Sequence, residues 1–390
     1  MNLKPRDSLH GNGSGEFYTK IKEHSDRFPA SNDSWKGIGP LGYNRFLITK
    51  TISYSLALIA TVSILYVGIY PSLQHVIADQ ANAETQLFTQ SLVKGAHGAL
   101  TQAQVQAQAA LFKASFLAQF GFNQPLPVKF GLQMYHLFTF QFGTSYFILA
   151  PDGSNLVSKI IIAYLPNTIL LFTSGTLLVV AVGSIIGLLA AKSAGGRLDR
   201  AIPFIGVFHA SLPTWWVGFL FIAFFAYSLN IFPSGGMISV PQPSGILPKF
   251  GDFLFHLTLP LLAFFVVNVG GFAYVIRSLV ISTMGEDFVL TAKARGISER
   301  SILFSHVLRT TSPSIATQSV LAVAGSFAGG LTTEVVFRWP GLGLLTYIAI
   351  LANDLPIIIA STFVLTIILL LGLFIGELAY GVLDPRIKSG

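Results

Sequence analysis

The chain has 390 residues, of which 52% are hydrophobic and only 11% are charged. A soluble globular domain carries about 25% charged residues, so this composition excludes an ordinary soluble domain and predicts an integral membrane protein. The sequence contains no cysteine, which excludes disulfides, thiol nucleophiles and metal sites with cysteine ligands. The formal net charge is +7, and the positions of the basic residues relate this charge to membrane topology rather than to nucleic acid.

Residues 1–43 are polar and contain clusters of Gly, Ser and Asn. No apolar periodicity is visible in them, so we expect a mostly disordered tail, with at most a short helix near Phe17–Ile21. No short apolar core with a small-residue cleavage site follows this tail, so it is not expected to be a signal peptide.

Six charge-free apolar runs follow the tail, and each is long enough for the roughly 20 residues that a membrane-spanning helix needs. The third run is too long for one helix, and the turn-rich stretch Phe232–Leu247 follows its span. The sequence therefore predicts an all-α integral membrane protein with six transmembrane helices and both termini on the same side. The runs are Thr51–Ala78, Ile160–Ala191, Ala201–Pro248, Phe253–Ile276, Thr310–Thr333 and Leu355–Gly376.

Lys and Arg are distributed unevenly between the two sides of this topology. If the termini are cytoplasmic, the inner segments hold 18 of the 24 basic residues and the outer segments hold the other 6. This bias obeys the positive-inside rule. We therefore expect a multi-pass membrane protein with cytoplasmic residues 1–43, 193–200, 278–310 and 384–390.

The segment between the first two predicted spans is long. We expect a first transmembrane helix at 44–70, a partly helical extracytoplasmic segment at 71–159 and a five-helix core at 160–390. Residues 80–119 are rich in Ala and Gln with leucines among them, which favours an amphipathic helix lying on the outer face. A flexible outer loop is the alternative.

The most polar stretch of the core is 284–309, called the elbow below. Its pattern predicts a helix, a break and a second helix. Glu286 and Asp287 lie in the first turn of the first helix, and Lys293 and Arg295 lie in its last turn. Both pairs complement the helix dipole.

Local signals also predict a rigid angle between the two helices of the elbow. Gly296 is placed as the left-handed residue that ends the first helix, and Ser298 as the N-cap of the second. Ile297 and Ile302 occupy the positions of a hydrophobic staple. The alternative is an ordinary solvated loop with a helical turn.

The sequence lacks the motifs of a catalytic or nucleotide-binding chain. It has no Gly-Lys dipeptide and so no P-loop, and its eight His residues lack the spacing of a zinc site. Ionisable residues are nearly absent from the apolar runs, whereas a proton-coupled carrier usually has a carboxylate at mid-membrane. We therefore expect no catalytic residues, no metal site and no cofactor in this chain, which would be a conduit without its own energy source.

A set of short motifs extends from the elbow through most of the chain. They are Asn123–Val128, Leu165–Thr168, Leu212–Trp216, Pro233–Gly236, Glu286–Phe288, Thr291–Gly296, Ser298–Arg300, His306–Arg309, Trp339–Gly343 and Leu383–Ile387. Together they resemble permease subunits of binding-protein-dependent ABC importers, in the oligopeptide, dipeptide and nickel branch, and the elbow resembles the cytoplasmic EAA loop of that family. The resemblance covers about residues 44–388.

The resemblance implies the type I permease architecture of ABC importers, a location in the plasma membrane of a prokaryote and a set of partners. A second permease subunit would complete the path through the lipid membrane, two ATP-binding subunits with ATP and Mg would dock beneath, and an external binding protein would deliver substrate. No nucleic acid is implied. Ala292 and Gly296 would keep the elbow slim where a partner approaches. The residues implied in coupling are Glu286, Asp287, Ala292, Arg295, Gly296, Ser298, Glu299 and Arg300.

The substrate stays open at this point, since peptides, oligosaccharides and nickel all use permeases of this type. A secondary transporter and a membrane-embedded enzyme are alternatives that the scarcity of buried charge and the lack of a catalytic motif disfavour. Asn167, Asn268 and Thr333 are candidates for lining the path. Glu334 either meets a cationic group or pairs with Arg338, and we favour the pair.

Overall fold

The structure is a computed structural model in which every regular element of the described residues is helical. It describes residues 40–95, 100–119, 124–326 and 330–383. Nearly all of these belong to one compact unit, Lys50–Leu383; of the other unit, formed by residues 1–49 and 384–390, only the start of the first helix is described. The predicted all-α architecture is therefore confirmed.

Thirteen α-helices follow one another in the described residues, and two short π-helical segments extend them. The π-helical segments are Ile222–Ser228, directly after α6, and Ile302–Val307, directly before α10. The helices are α1 (Pro40–Gly95), α2 (Gln102–Gln119), α3 (Leu126–Phe138), α4 (Val157–Lys192), α5 (Arg197–Ala210), α6 (Thr214–Phe221), α7 (Ile246–Met284), α8 (Asp287–Ala294), α9 (Glu299–Ser301), α10 (Leu308–Ser326), α11 (Gly330–Val336), α12 (Leu342–Ala352) and α13 (Leu355–Leu383).

Four helices are long and apolar enough to cross a membrane: residues Ile48–Gly68 of α1, all of α4 and α7, and Leu355–Leu378 of α13. They correspond to the first, second, fourth and sixth predicted spans and make this a multi-pass membrane protein. The third predicted span is bent, because α5 meets α6 and its π-helical extension at 91°. Pro213 precedes α6 at the break, where it has no N–H group with which to continue α5.

The fifth predicted span, Thr310–Thr333, differs from the expectation. Its first part is α10, whose Thr, Ser and Gln side chains keep it out of the set of helices apolar enough to cross. Within the described residues the count is therefore four, or five with the bent pair, instead of six. Because α10 packs against α4, α7 and α13, it can carry hydroxyl groups that bond to its own chain, as Thr311 does to Val307 O. A membrane crossing by α10 stays a prediction.

The first helix does not end at residue 70, where the predicted transmembrane helix ends, but continues unbroken over the 56 residues of α1. The second half of α1 pairs with α2 to form a helical hairpin. Phe88 stacks on Phe112 with ring centroids 4.3 Å apart, and Lys113 Nζ donates a hydrogen bond to Asn82 Oδ1 at 2.6 Å. The Ala- and Gln-rich residues 102–119 are thus helical, and the alternative of a flexible outer loop is wrong for them.

The centre of the fold is the crossing of α4 and α7. A Cβ atom on Gly187 would lie only 2.5 Å from the carbonyl oxygen of Ala273, so glycine allows the two backbones to meet. Helices α5, α6 and α10 also pack against α7, and α12 and α13 against α4. This arrangement anchors the C-terminal end of α7, from which the elbow begins.

Candidate functional site

The break in the elbow is a left-handed helix end, as predicted. Gly296 has φ +73°, its N–H donates to the carbonyl of Lys293 at 2.9 Å, and the N–H of Ile297 donates to the carbonyl of Ala292 at 3.2 Å. These two bonds form a Schellman motif, which satisfies carbonyls at the end of α8 that would otherwise lack partners. The first helix of the elbow therefore stops at a defined residue.

The second helix begins where the sequence placed its cap. Ser298 Oγ accepts a hydrogen bond from the N–H of Ser301 at 3.4 Å. Ile297 and Ile302 both belong to one apolar cluster, as the predicted staple requires. The angle between the two helices is thus held from both sides of the break.

The inner face of the elbow is packed on its own chain. Val289 and Ala292 of α8 are buried with Leu303 and Val307, against Ile276 and Val280 of α7. The expectation that Ala292 faces a partner is therefore wrong. Ala292 lies three residues after Val289, on the same helical face. Its small side chain allows α8 to pack closely against α7.

The outer face of the elbow is exposed and mixed in character. The elbow exposes three large apolar side chains, and the most exposed of them is Leu290, at 59%, followed by Phe304 and Phe288. Sequence reasoning missed Leu290, although Val289 and Ala292 already defined the inner face and left it on the opposite one. The exposed polar or small residues on this surface include Glu286, Asp287, Thr291, Lys293, Ala294, Arg295, Gly296, Ser298, Glu299 and Arg300.

A partly buried ion pair ties the base of the elbow to α5. Arg277 Nε, near the end of α7, donates to Asp199 Oδ1 at 2.5 Å, and the N–H of Gly195 donates to Asp199 Oδ2 at 2.8 Å. Both carboxylate oxygens of Asp199 are therefore used. A buried carboxylate with its partners in place resists being moved alone, so α5 and α7 are held together at this end.

One buried network includes or adjoins three of the residues that were predicted to line a path: Asn167, Thr333 and Glu334. Asn167 Nδ2 donates to the carbonyl of Pro340 at 2.7 Å, and Trp339 Nε1 donates to the carbonyl of Asn167 at 2.9 Å. Thr333 is buried, and its carbonyl accepts from the N–H of Phe337. These contacts hold the loop between α11 and α12 against α4.

The expected pair of Glu334 with Arg338 is not formed. Glu334 is fully buried, and its Oε2 accepts from the N–H groups of Gly343 at 2.6 Å and Leu344 at 3.2 Å. Those N–H groups begin α12, where the helix offers donors without partners of their own. Arg338 is exposed and left-handed, with φ +48°. Glu334 thus has the structural role that we favoured, but its partners are the backbone N–H groups of α12 and not Arg338.

Asn268 lies apart from this network. Its Nδ2 donates to the carbonyl of Phe264 within α7 at 2.7 Å, and its side chain is partly exposed. The side-chain oxygen can therefore accept a hydrogen bond from another molecule. Asn268 stays a predicted path residue.

Asp354 is a third buried carboxylate, and sequence reasoning missed it. Its Oδ2 accepts from Ser145 Oγ at 2.5 Å and from the N–H groups of Tyr146 and Phe147. It thereby fastens the segment before α4 to the start of α13. An Asp directly before Leu355, where the last apolar run begins, was the available signal for a helix start.

The segment fastened by Asp354 is stiffened by Asp152. The N–H of Ser154 and the ammonium of Lys159 both donate to this carboxylate, at 2.9 and 3.0 Å, and they hold the pKa of Asp152 below its usual range, the Ser154 bond most strongly. Asp152 therefore stays ionised to a lower pH than a free aspartate.

Comparison with known proteins gives a family match over the core. A family model described as "binding-protein-dependent transport system inner membrane component" matches residues 183–389. This range is slightly more than half of the chain and contains the elbow, the ion pair of Asp199, and Glu334 with its partners Gly343 and Leu344.

Individual relatives extend the similarity towards the N-terminus. An oligopeptide transport system permease protein of Bacillus subtilis is 29% identical over 276 residues, which are 71% of this chain and 85% of the relative. A putative peptide transport system permease protein of Brucella abortus is 30% identical, with 69% and 82% covered. A probable peptide ABC transporter permease protein of Sinorhizobium fredii is 32% identical, with 70% and 84% covered.

Proposed function

Because this chain belongs to the family of binding-protein-dependent transport system inner membrane components, we propose that it is the membrane-spanning permease subunit of an ABC importer for peptides. A second permease subunit completes the translocation path, two ATP-binding subunits with ATP and Mg supply the energy, and an external binding protein delivers the substrate. The chain itself carries no catalytic residues in this role.

The observation that carries the proposal is the division of the elbow into two faces. Its inner face is buried against α7 through Val289 and Ala292, and its outer face presents Leu290 among charged and small residues. Exposed apolar side chains within a polar rim are typical of the core of a protein–protein contact. We assign this outer face to an ATP-binding subunit.

The packing of the elbow supplies a route for mechanical coupling. Helix α8 cannot shift without moving Ile276 and Val280 of α7, because packed interiors transmit displacement. The ion pair of Arg277 with Asp199 passes the same movement to α5. Closure of the ATP-binding subunits would therefore rock several spans together between outward-open and inward-open states.

Peptides are the substrate class that the relatives support, since the three described above are named as peptide or oligopeptide permeases. The spans contain few charges, so recognition would rest on amides and hydroxyls such as Asn268, which suit the peptide backbone. Oligosaccharides and nickel are the alternatives. The orientation follows from the basic residues, with the elbow and both termini in the cytoplasm.

Leu290→Ala tests the role of the elbow. Removing a central apolar anchor usually costs about 1–4 kcal/mol of binding energy, so co-purification of the ATP-binding subunits should fall about tenfold or more while membrane insertion is unchanged. Leu149→Ala is the matched control, because Leu149 is also 59% exposed but lies in the segment before α4. Equal co-purification in both variants would contradict the docking role.

The substrate class is tested in liposomes that contain the purified complex. ATP-dependent uptake of labelled peptides in the presence of the binding protein, without uptake of an oligosaccharide or Ni²⁺, is the expected result. Uptake that needs an ion gradient and no ATP would point to a secondary transporter instead.

A further inference from the structure

A narrow apolar groove lies between the first and the last spans. It encloses about 190 Å³ and is lined by Tyr54 and Leu58 of α1 and by Leu371 and Phe374 of α13, among others. Tyr54 meets the edge of Phe374, with ring centroids 6.0 Å apart. The lining residues belong to two membrane spans, so the groove lies at the depth of the lipid chains.

A charged pair stands beside this groove at one membrane interface. Lys50 Nζ donates to Glu377 Oε1 at 2.8 Å. Lys50 is in the first turn of the span that begins at Ile48, and Glu377 is in the last turn of the span that ends at Leu378. The two helices therefore bring one positive and one negative group together at the level of lipid headgroups.

One oxygen of the Glu377 carboxylate lacks a well-aligned donor. Its Oε2 is shielded from solvent and has no partner of hydrogen-bond geometry among the described residues, although the Tyr54 hydroxyl lies close to the same carboxylate. A buried acceptor without a donor is costly, and each such group in a folded protein calls for an explanation. A ligand with an N–H group would supply the missing donor.

We propose that this groove binds a phospholipid with a primary-amine headgroup, phosphatidylethanolamine. One acyl chain lies along Leu58 and Leu371, the headgroup ammonium donates to Glu377 Oε2 once the carboxylate turns this oxygen towards the groove, and the phosphate accepts from the Lys50 ammonium. The charged pair is thus complementary to a zwitterionic headgroup. Phosphatidylcholine offers no N–H donor, and phosphatidylglycerol offers no cation.

The test measures lipid binding to the purified full-length chain with its natural partners, by native mass spectrometry in mild detergent. Phosphatidylethanolamine, phosphatidylcholine and phosphatidylglycerol with identical acyl chains are added separately. One molecule of phosphatidylethanolamine should bind on the order of tenfold tighter than either of the others, the effect expected of one charge-assisted hydrogen bond.

Two variants examine the headgroup and the chain independently. Glu377→Gln should abolish the preference for phosphatidylethanolamine. Leu371→Trp should fill the groove and weaken the binding of all three lipids, whereas Ile375→Trp should not, because Ile375 is equally exposed on α13, at 56% against 54%, but does not line the groove. Leu371→Trp gives an answer even if Glu377→Gln fails to fold.

Several outcomes would overturn the proposal. Equal binding of phosphatidylethanolamine and phosphatidylcholine by the unaltered chain would remove the headgroup site. Lipid binding that emerges only after deletion of residues 1–39 would assign the groove to that segment. A change of oligomeric state in Leu371→Trp, without a change in lipid binding, would assign the groove to a second protein chain.

Discussion

Single residues set the geometry of the elbow and of the loop before α12. Gly296 ends α8 in a left-handed conformation, and Glu334 holds the first N–H groups of α12. The role of Gly296 could be predicted from sequence, because helix ends follow local rules of residue order. The partner of Glu334 could not, because the choice between Arg338 and a helix start nine residues away depends on how the loop folds back.

Gly296→Leu should weaken the attachment of the ATP-binding subunits without preventing membrane insertion. A left-handed residue with a Cβ atom is strained by roughly 1–2 kcal/mol, and the leucine would project from the outer face. No atom lies within 4 Å of the Cβ position, so Gly296→Ala measures the strain alone. Co-purification and substrate-stimulated ATPase activity are the measurements.

Two comparisons sharpen the Gly296 experiment. Gly285→Ala is a control at an ordinary φ of −84°, and it should leave both measurements unchanged. Arg295→Glu should weaken attachment less than Gly296→Leu, because an exposed charge pair contributes only about 0–1 kcal/mol. Normal co-purification and normal stimulation in Gly296→Leu would show that the elbow is only a connector.

Glu334→Leu should destabilise the protein, because it leaves the buried N–H groups of Gly343 and Leu344 without an acceptor. Each such group costs about 1–3 kcal/mol, so the Tm of the purified complex should fall clearly. Glu334→Gln keeps one acceptor oxygen and should lose less. Arg338→Ala should leave the Tm unchanged. A fall in Tm equal to that of Glu334→Leu would support an ion pair of Glu334 with Arg338. A changed substrate preference in a stable Glu334→Gln complex would contradict the structural role.

Among the elements, α8 shows most directly how one helix serves two surfaces. Its inner face packs in the same apolar cluster as α7, and its outer face is exposed. Sequence patterns predicted the helix and its ends. They did not assign Ala292 to the inner face, because an alanine is compatible with either side and eight residues give too short a period to decide.

Ala292→Leu should lower stability, while Ala294→Leu on the exposed side of α8 should not. Extra methylene groups in a packed interior cost about 1–3 kcal/mol, and Ala292 is enclosed by the cluster around Val289. The Tm of each complex is the measurement, with co-purification of the ATP-binding subunits as a second one. If Ala292→Leu keeps its Tm but loses its partners, Ala292 faces outward as first expected.

The spans illustrate which elements composition can predict. Four apolar runs became long apolar helices, because burial in lipid demands apolar side chains along their length. The bend between α5 and α6 and the polar character of α10 were missed, since both depend on neighbouring helices that satisfy backbone and hydroxyl groups. The pairing of α1 with α2 also needs contacts between distant residues, such as Phe88 with Phe112.

At the scale of the whole molecule, the proposed orientation in the membrane predicts which surfaces face the outside of the cell. Because the chain has no cysteine, single cysteines can be introduced without removing others. Gln102→Cys in α2 and Ser298→Cys in the elbow are both exposed positions. An impermeant thiol reagent applied to intact cells should label the first and not the second; the reverse pattern would overturn the proposed orientation.

The unbroken helix α1 has a mechanical consequence for the outside of the cell. From Gly68 to Gly95 it rises about 40 Å beyond the end of its apolar part, at roughly 1.5 Å per residue. In the proposed orientation, a 10° tilt of the span would therefore sweep the tip of the hairpin sideways by about 7 Å by the same geometry. A small rotation of the span within the bilayer would therefore displace the tip of the hairpin far enough for spin-label distance measurements.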